Sequence, residues 1–380
     1  MNCLATIIRS LRDTCGLHRL ASDSTSLRRV LQTGDAAVVF AANCRRVRVS
    51  EPSASLNAIA LIVSALLLLR PQAVTAQETT RNDHQPSPAT GASNVYDSSD
   101  HDQIRLWDGP APGASGNDPR RDIPFLRVYR GPAQDQAPGS AVLLIPGGGY
   151  DRLSDTKEQA PVAEYFSQRL KLTTFLLYYR LVQSDGTYRY PVPMWDGQRA
   201  LKLIRYLGPK YGINPSRVGV FGFSAGGHLA TMLAVHSETD FGLPRQDSVD
   251  LKNGRPDFLG LGYPVISMNP AQFAARSSRS HLLYGYRGQA LEHLQNYLSG
   301  HENVHSGMPP VFLFESMDDS RVSPQNSVLF AQALQAAKVP TQIHLFTHGI
   351  HGAGLAGTIP DEAGWPDLFR QWLIELAFLQ

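Results

Sequence analysis

From Ile104 onward, short apolar runs of strand length alternate with longer stretches whose apolar residues recur at helical spacing. The runs predict strands over 125–129, 141–145, 173–179, 217–222, 258–263, 311–315 and 342–346. Several are apolar throughout rather than alternating, as strands covered on both faces are. The longer stretches predict helices over 160–170, 197–211, 225–236, 325–337 and 365–379. Pro366 falls in the first turn of the last one, where its missing N–H costs nothing. Strands alternating with helices argue for βαβ units, hence an α/β domain with a mostly parallel central sheet and helices on both faces. Residues 268–310 contain no clear strand and read as an insertion bordering the site, a partial lid. No internal repeat is visible.

Ahead of this region the texture changes. Residues 77–103 are polar with few apolar anchors and predict a flexible linker, which leaves 104–380 as the folded domain. Residues 1–76 hold nine Lys/Arg against four Asp/Glu, whereas 77–380 hold 26 against 29. All three cysteines (Cys3, Cys15, Cys44) also lie in the first segment. Within it, residues 56–69 form a mostly apolar run, preceded by Arg45, Arg46 and Arg48 and followed by Val74-Thr75-Ala76. Charged, apolar, then small residues is the secretory signal pattern. The run is shorter than the ~20 residues that span a bilayer. The expectation is cleavage after Ala76 and a secreted or periplasmic, cysteine-free product with no stable membrane association. The unpatterned residues ahead of Arg45 point to a translation start further along, at Val47 or Val49. A net charge of +2 gives no reason to expect a nucleic-acid partner. The 42% hydrophobic content suffices for a large core.

Chemistry enters with Gly222-Phe223-Ser224-Ala225-Gly226, a G-x-S-x-G between a predicted strand and a predicted helix. A strand-to-helix turn this tight needs small residues around the serine, lifts its hydroxyl above the sheet and aims a helix N-terminus at the reacting carbonyl. That makes Ser224 the candidate nucleophile. Pro146-Gly147-Gly148-Gly149-Tyr150 follows the strand 141–145 directly. Glycines let backbone N–H groups approach a developing oxyanion, so the candidate donors are Gly148 or Gly149 on this loop and Ala225 after the serine.

Nucleophile elbows of this kind are followed in the chain by an acid and then a histidine. Asp318 and Asp319 stand after the strand 311–315, and His351 after the strand 342–346, where open α/β sheets gather their sites. His348 competes with His351, while His344 falls inside a strand and His228 on the elbow helix, both read as packed. Asp318 reads as a turn former, Asp196 as a helix N-cap, and Trp195 as a loop anchor or a sugar platform. His301-Glu302-Asn303-Val304-His305 matches H-E-x-x-H, but Gly300 and Pro309-Pro310 leave no room for the helix that zinc ligation needs. It reads as a loop, and neither a metal nor an organic cofactor is expected.

PGGGY after a strand, YPVPMWDGQRALKLIRY, INPSRVGVFGFSAGGHLA, YPVIS, MDDSRVSPQNSVLFAQALQAAKVPTQIHLF and GIHGAGL, together with LWDGPAPGA near the start of the domain, resemble secreted bacterial esterases of the acetylxylan-esterase and BD-FAE-like kind, a branch of the α/β-hydrolase superfamily. The resemblance covers about 104–380. It implies the α/β-hydrolase fold, with Ser224 as nucleophile, Asp319 as acid and His351 as base. Two departures stand out: Ser323 replaces the proline of the usual D-x-x-V-P, and Pro146 replaces the first His of the lipase HGGG. The resemblance further implies removal of acyl groups from plant cell-wall polysaccharide; some relatives carry xylanase names, but no paired-carboxylate glycosidase site is visible. The expected partner is therefore an acylated polysaccharide or oligosaccharide. A prolyl-oligopeptidase-type peptidase shares such a triad but needs room for a propeller, which 77–103 does not give. A non-catalytic sugar-binding protein would not need intact Ser, Asp and His candidates.

Overall fold

A computed structural model of the chain describes residues 102–131, 139–154, 156–243 and 247–379. The segment read as a signal, and all but the last two residues of the linker, lie outside the described residues. Strands β1 (Gln103–Arg105), β2 (Phe125–Tyr129), β3 (Gly139–Ile145), β4 (Thr173–Tyr178), β5 (Ile213–Phe223), β6 (Leu259–Gly262), β7 (Val311–Ser316) and β8 (Thr341–Phe346) form one sheet in the order β1-β2-β4-β3-β5-β6-β7-β8. β1 and β2 are antiparallel to their neighbours, and every pairing from β4 through β8 is parallel. All seven predicted strands are present; β1, too short and polar to show a pattern, was not expected.

The helices are α1 (Ala160–Glu164, continued by a π-turn over Tyr165–Arg169), α2 (Val192–Tyr206), α3 (Gly208–Tyr211), α4 (Ser224–Val235), α5 (Arg276–Leu282), α6 (Gly288–Tyr297), α7 (Gln325–Ala336) and α8 (Trp365–Glu375). Side chains of period two divide the core between the sheet's faces. Ala141, Leu143, Val218, Val220, Val311 and Leu313 join Leu201, Leu229, Met232, Phe330 and Leu334 of α2, α4 and α7. Val142, Leu144, Phe221, Phe223, Phe312 and Phe314 meet Val162 of α1 and Trp365, Phe369 and Trp372 of α8. The first face is mainly aliphatic; the second is a cluster of rings, with Trp365 stacked on Phe314 at 4.6 Å. Apolar residues on both faces explain why these strands read as unbroken apolar runs.

Three expectations need correction. The helix read over 197–211 begins at Val192 and breaks at Leu207. Asp196 therefore lies inside α2 and is no N-cap. Its carboxylate is buried and takes the Arg180 guanidinium at 2.6 Å together with the Arg180 backbone N–H at 2.8 Å. Pro193 suits the first turn of a helix opening at Val192; Asp-Gly only imitated a start. The last helix stops at Glu375 rather than Leu379, because Ala377 turns left-handed (φ 58) and Phe378 N–H folds back to Leu373 O. Trp195 fits its reading as a loop anchor: its Nε1–H donates to Phe241 O.

Both partners of the Arg180–Asp196 pair are at most 1% exposed, so removing one strands a buried charge. Asp196→Ala is expected to cost about 3–5 kcal/mol of stability in urea unfolding, well above a surface change.

Candidate active site

β5 runs directly into α4. Phe223 is extended (φ −110, ψ 139), and Ser224, the first helical residue, takes φ +52. A left-handed serine is strained, and its surroundings hold it so. A Cβ on Gly222 would collide with the Gly226 carbonyl, and one on Gly226 with the carbonyls of Ile145 and Pro146. Both glycines of the motif are therefore required by close approach. The result lifts the Ser224 hydroxyl to the C-terminal edge of the sheet.

There Ser224 Oγ lies 2.8 Å from His351 Nε2, and His351 Nδ1 lies 2.7 Å from Asp319 Oδ2. A carboxylate only accepts, so Nδ1 carries the proton and Nε2 offers its lone pair to the serine hydroxyl. Asp319 Oδ1 accepts the N–H groups of Arg321 (2.8 Å) and Val322 (3.0 Å), so the D-x-x-V segment closes on its own carboxylate. Ser323 in place of proline leaves this intact. Pro324 precedes α7 directly, and the Ser323 carbonyl accepts from Asn326. The Asp319 side chain is 1% exposed and that of His351 13%, so the pair is shielded while the histidine keeps an open edge.

The two competitors pair with each other. Asp318 accepts Gly349 N–H at 2.9 Å and meets His348 Nδ1 at 3.1 Å, both side chains exposed. Those contacts, the backbone N–H foremost, hold the Asp318 carboxyl below its usual range. His344 packs on Phe312 with ring centroids 5.2 Å apart. His228 is fully buried between Tyr150 Oη (2.6 Å) and Leu298 O (2.7 Å), and burial pushes its pKa down to about 4. It is neutral, with Nε2–H donating to the Leu298 carbonyl and Nδ1 accepting from Tyr150.

The glycine loop turns its carbonyls away from the serine. Gly147 O accepts Ser154 N–H, Gly148 O accepts Arg152 N–H, Gly149 O accepts from His281 Nδ1, and Tyr150 O accepts Val182 N–H. Gly148 (φ 117) and Gly149 (φ 66) make that turn possible. Their N–H groups meet no acceptor among the described residues. Ala225 N–H belongs to the first turn of α4, whose amides have no intrahelical acceptor. The loop lies against Ser224: a Cβ on Gly147 would stand 2.8 Å from Ser224 Cβ. His281 belongs to α5, so the insertion at 268–310 does border the site. Its HENVH stretch is a 3₁₀ turn over Gly300–Glu302 and a loop, with His301 Nε2 near Gln272 Oε1. Among the described residues no group of three or more His, Cys, Asp and Glu is arranged to hold a metal ion.

Three buried residues around the site were given no role by the sequence. Glu158 accepts Gly147 N–H (2.7 Å) and the Tyr263 hydroxyl (3.0 Å). Tyr263 follows β6 directly and presents its ring to His351 at 5.0 Å. Glu362 takes the Ser316 hydroxyl under the histidine loop, where burial raises its pKa. Only Tyr263 gave a signal, its position at the end of a strand. An alkoxide formed at Ser224 would have a base at hand, a shielded acid behind that base, and free N–H groups beside it.

Residues 126–334 match the BD-FAE family model. The chain is 35% identical to the acetyl ester-xyloside bifunctional hydrolase of Caldicellulosiruptor lactoaceticus, whose crystal structure it matches with a TM-score of 0.65 over 73% of this chain and 97% of that one. It is 33% identical over 248 residues to endo-1,4-beta-xylanase B of Butyrivibrio fibrisolvens, covering 64% of this chain and 36% of that protein. It is 29% identical over 218 residues to an acetylxylan esterase of Xylanibacter ruminicola, covering 57% of this chain and 41% of that protein. The chain thus spans well under half the length of these two relatives. The sheet, its crossovers and these likenesses are those of the α/β-hydrolase fold.

Proposed function

Since the chain belongs to the BD-FAE family of α/β-hydrolases, we propose that it is a serine ester hydrolase that removes acetyl groups from xylan-type polysaccharide. The observation that carries the chemistry is the unbroken chain Ser224–His351–Asp319 at 2.8 and 2.7 Å, starting from a left-handed serine. Ser224 Oγ attacks the acyl carbonyl while His351 Nε2 takes its proton. The oxyanion receives N–H bonds from the Gly148–Gly149 loop and Ala225. As the intermediate collapses and the acyl C–O bond breaks, His351 gives its proton to the departing sugar oxygen, which leaves as a hydroxyl, and the remaining acyl-enzyme is hydrolysed by water activated by the same histidine. Asp319 holds the imidazole in the required tautomer and balances its transient charge. The substrate rests on two likenesses: the acetylxylan esterase of Xylanibacter ruminicola and the acetyl ester-xyloside hydrolase of Caldicellulosiruptor lactoaceticus. The charged, apolar and small residues ending at Ala76 support export with cleavage there.

The test is acetate release from acetylated xylan, pectin and mannan side by side, with fluorophosphonate labelling of the same preparation. The expected result is label on Ser224 and fastest release from xylan. Absence of label sinks the serine chemistry; label with release from pectin or mannan alone sinks the substrate.

A further inference from the structure

We infer that Glu158 is a positioning residue of the hydrolase site, a second buried carboxylate that ties the glycine loop to the histidine loop and sets the charge beside His351. The inference rests on the reading of Ser224, His351 and Asp319 as an esterase triad.

Glu158 is 2% exposed, yet each of its oxygens has a donor. Oε2 accepts Gly147 N–H at 2.7 Å, the residue pressed against Ser224. Oε1 accepts from Tyr263 Oη at 3.0 Å. The tyrosine proton must point there, because Tyr263 Oη itself accepts Gly354 N–H at 3.0 Å. Gly354 lies three residues beyond His351, and a Cβ on Gly352 would stand 3.7 Å from Glu158 Oε1. Lys157 O packs on Gly354 as well. One side chain thus joins the loop bearing the oxyanion donors to the loop bearing the base, with Tyr263 as the link.

Gly147 N–H and the Tyr263 hydroxyl both donate to Glu158, an arrangement that fits a carboxylate. Burial opposes that ionisation and raises its pKa, while the Gly147 and Tyr263 bonds and His351 favour it. The ionisable groups facing Glu158 are Tyr179, Tyr263 and His351. Burial raises both phenols, which stay neutral across the working range. Facing His351 are Asp319 and, through Tyr263, Glu158, with Glu362 beyond the tyrosine. A negative charge beside an imidazole favours its protonated form. Glu158 therefore assists the imidazolium that forms during acyl transfer, without touching the substrate.

The experiment measures kcat and KM against pH on p-nitrophenyl acetate for the full chain, Glu158→Gln and Glu158→Asp, with folding followed by circular dichroism. Glu158→Gln should lower plateau kcat about tenfold or more with KM within about twofold, and move the acid limb of kcat/KM to lower pH by about 0.5–1 unit, as loss of a neighbouring negative charge requires. Glu158→Asp keeps the charge but shortens the reach, so its acid limb should stay in place with kcat between the other two. A folded Glu158→Gln with wild-type kcat, or with lower kcat and an unmoved limb, overturns the inference while the triad reading stands. If Glu158→Gln does not fold, Glu158→Asp decides: reduced kcat at an unmoved limb supports the inference, and wild-type kcat overturns it. No turnover by the wild-type chain overturns the triad reading and this inference with it.

Discussion

Ser224→Ala is expected to abolish hydrolysis of p-nitrophenyl acetate, with kcat falling by about 10⁴–10⁶-fold, the range seen when the nucleophile of a serine hydrolase is removed. The physical reason is that, among the described residues, Ser224 is the hydroxyl that hydrogen-bonds His351 Nε2. The neighbouring positions Phe223 and Ala225 carry no nucleophile. The fold should survive, because alanine keeps the Cβ and meets the same surroundings. A second substitution separates strain from chemistry. Ser224 sits at φ +52, a conformation that costs a non-glycine residue about 1 kcal/mol or more. Ser224→Gly should be as inactive as Ser224→Ala yet unfold at a higher urea concentration than either alanine variant or wild type. Retention of more than about a hundredth of wild-type kcat by both variants would argue for a different nucleophile. Equal unfolding midpoints would show that the elbow stores no strain.

How far the fold and site could be read beforehand follows from what each feature depends on. Strands β2 to β7 were legible because both sheet faces are covered there, so their apolar runs stand out from the polar connections, whereas β8 lies half-buried at the sheet edge. The elbow was legible because steric limits fix Gly222 and Gly226 in the chain itself. The start of α2 was not: its buried Asp196 serves Arg180, sixteen positions earlier, and no local pattern announces a long-range ion pair. The role of Glu158 was hidden for the same reason. It lies in an ordinary KEQ stretch, and only the folded chain brings Gly147 and Tyr263 to its two oxygens. His228 and His351 each border a glycine, and position separated them, one on the elbow helix and the other past the last strand, as their burial bears out. The acid was narrowed to two adjacent residues by position and to Asp319 by resemblance. The structure brings Asp319 to His351 and Asp318 to His348.

That neighbouring pair supplies the sharpest discrimination. Asp319→Asn should lower kcat by about 10⁴-fold, the loss found when a triad acid is made neutral elsewhere. The size follows from the bonds around it. Asp319 Oδ1 accepts the N–H groups of Arg321 and Val322, and an asparagine in its place must turn its carbonyl oxygen to those two donors. The amide NH₂ then faces His351 Nδ1 and can only donate, so the proton is driven to Nε2. The imidazole would present an N–H to Ser224 Oγ where a lone pair is needed. Asp318→Asn meets no such conflict. Its partners, Gly349 N–H and the His348 ring, lie at an exposed edge where an ion pair contributes little, and kcat should fall less than about threefold. The measurement is kcat of both purified variants on one activated ester, with circular dichroism to confirm folding. A dead Asp318→Asn beside an active Asp319→Asn would shift the acid by one residue and make His348, not His351, its natural partner.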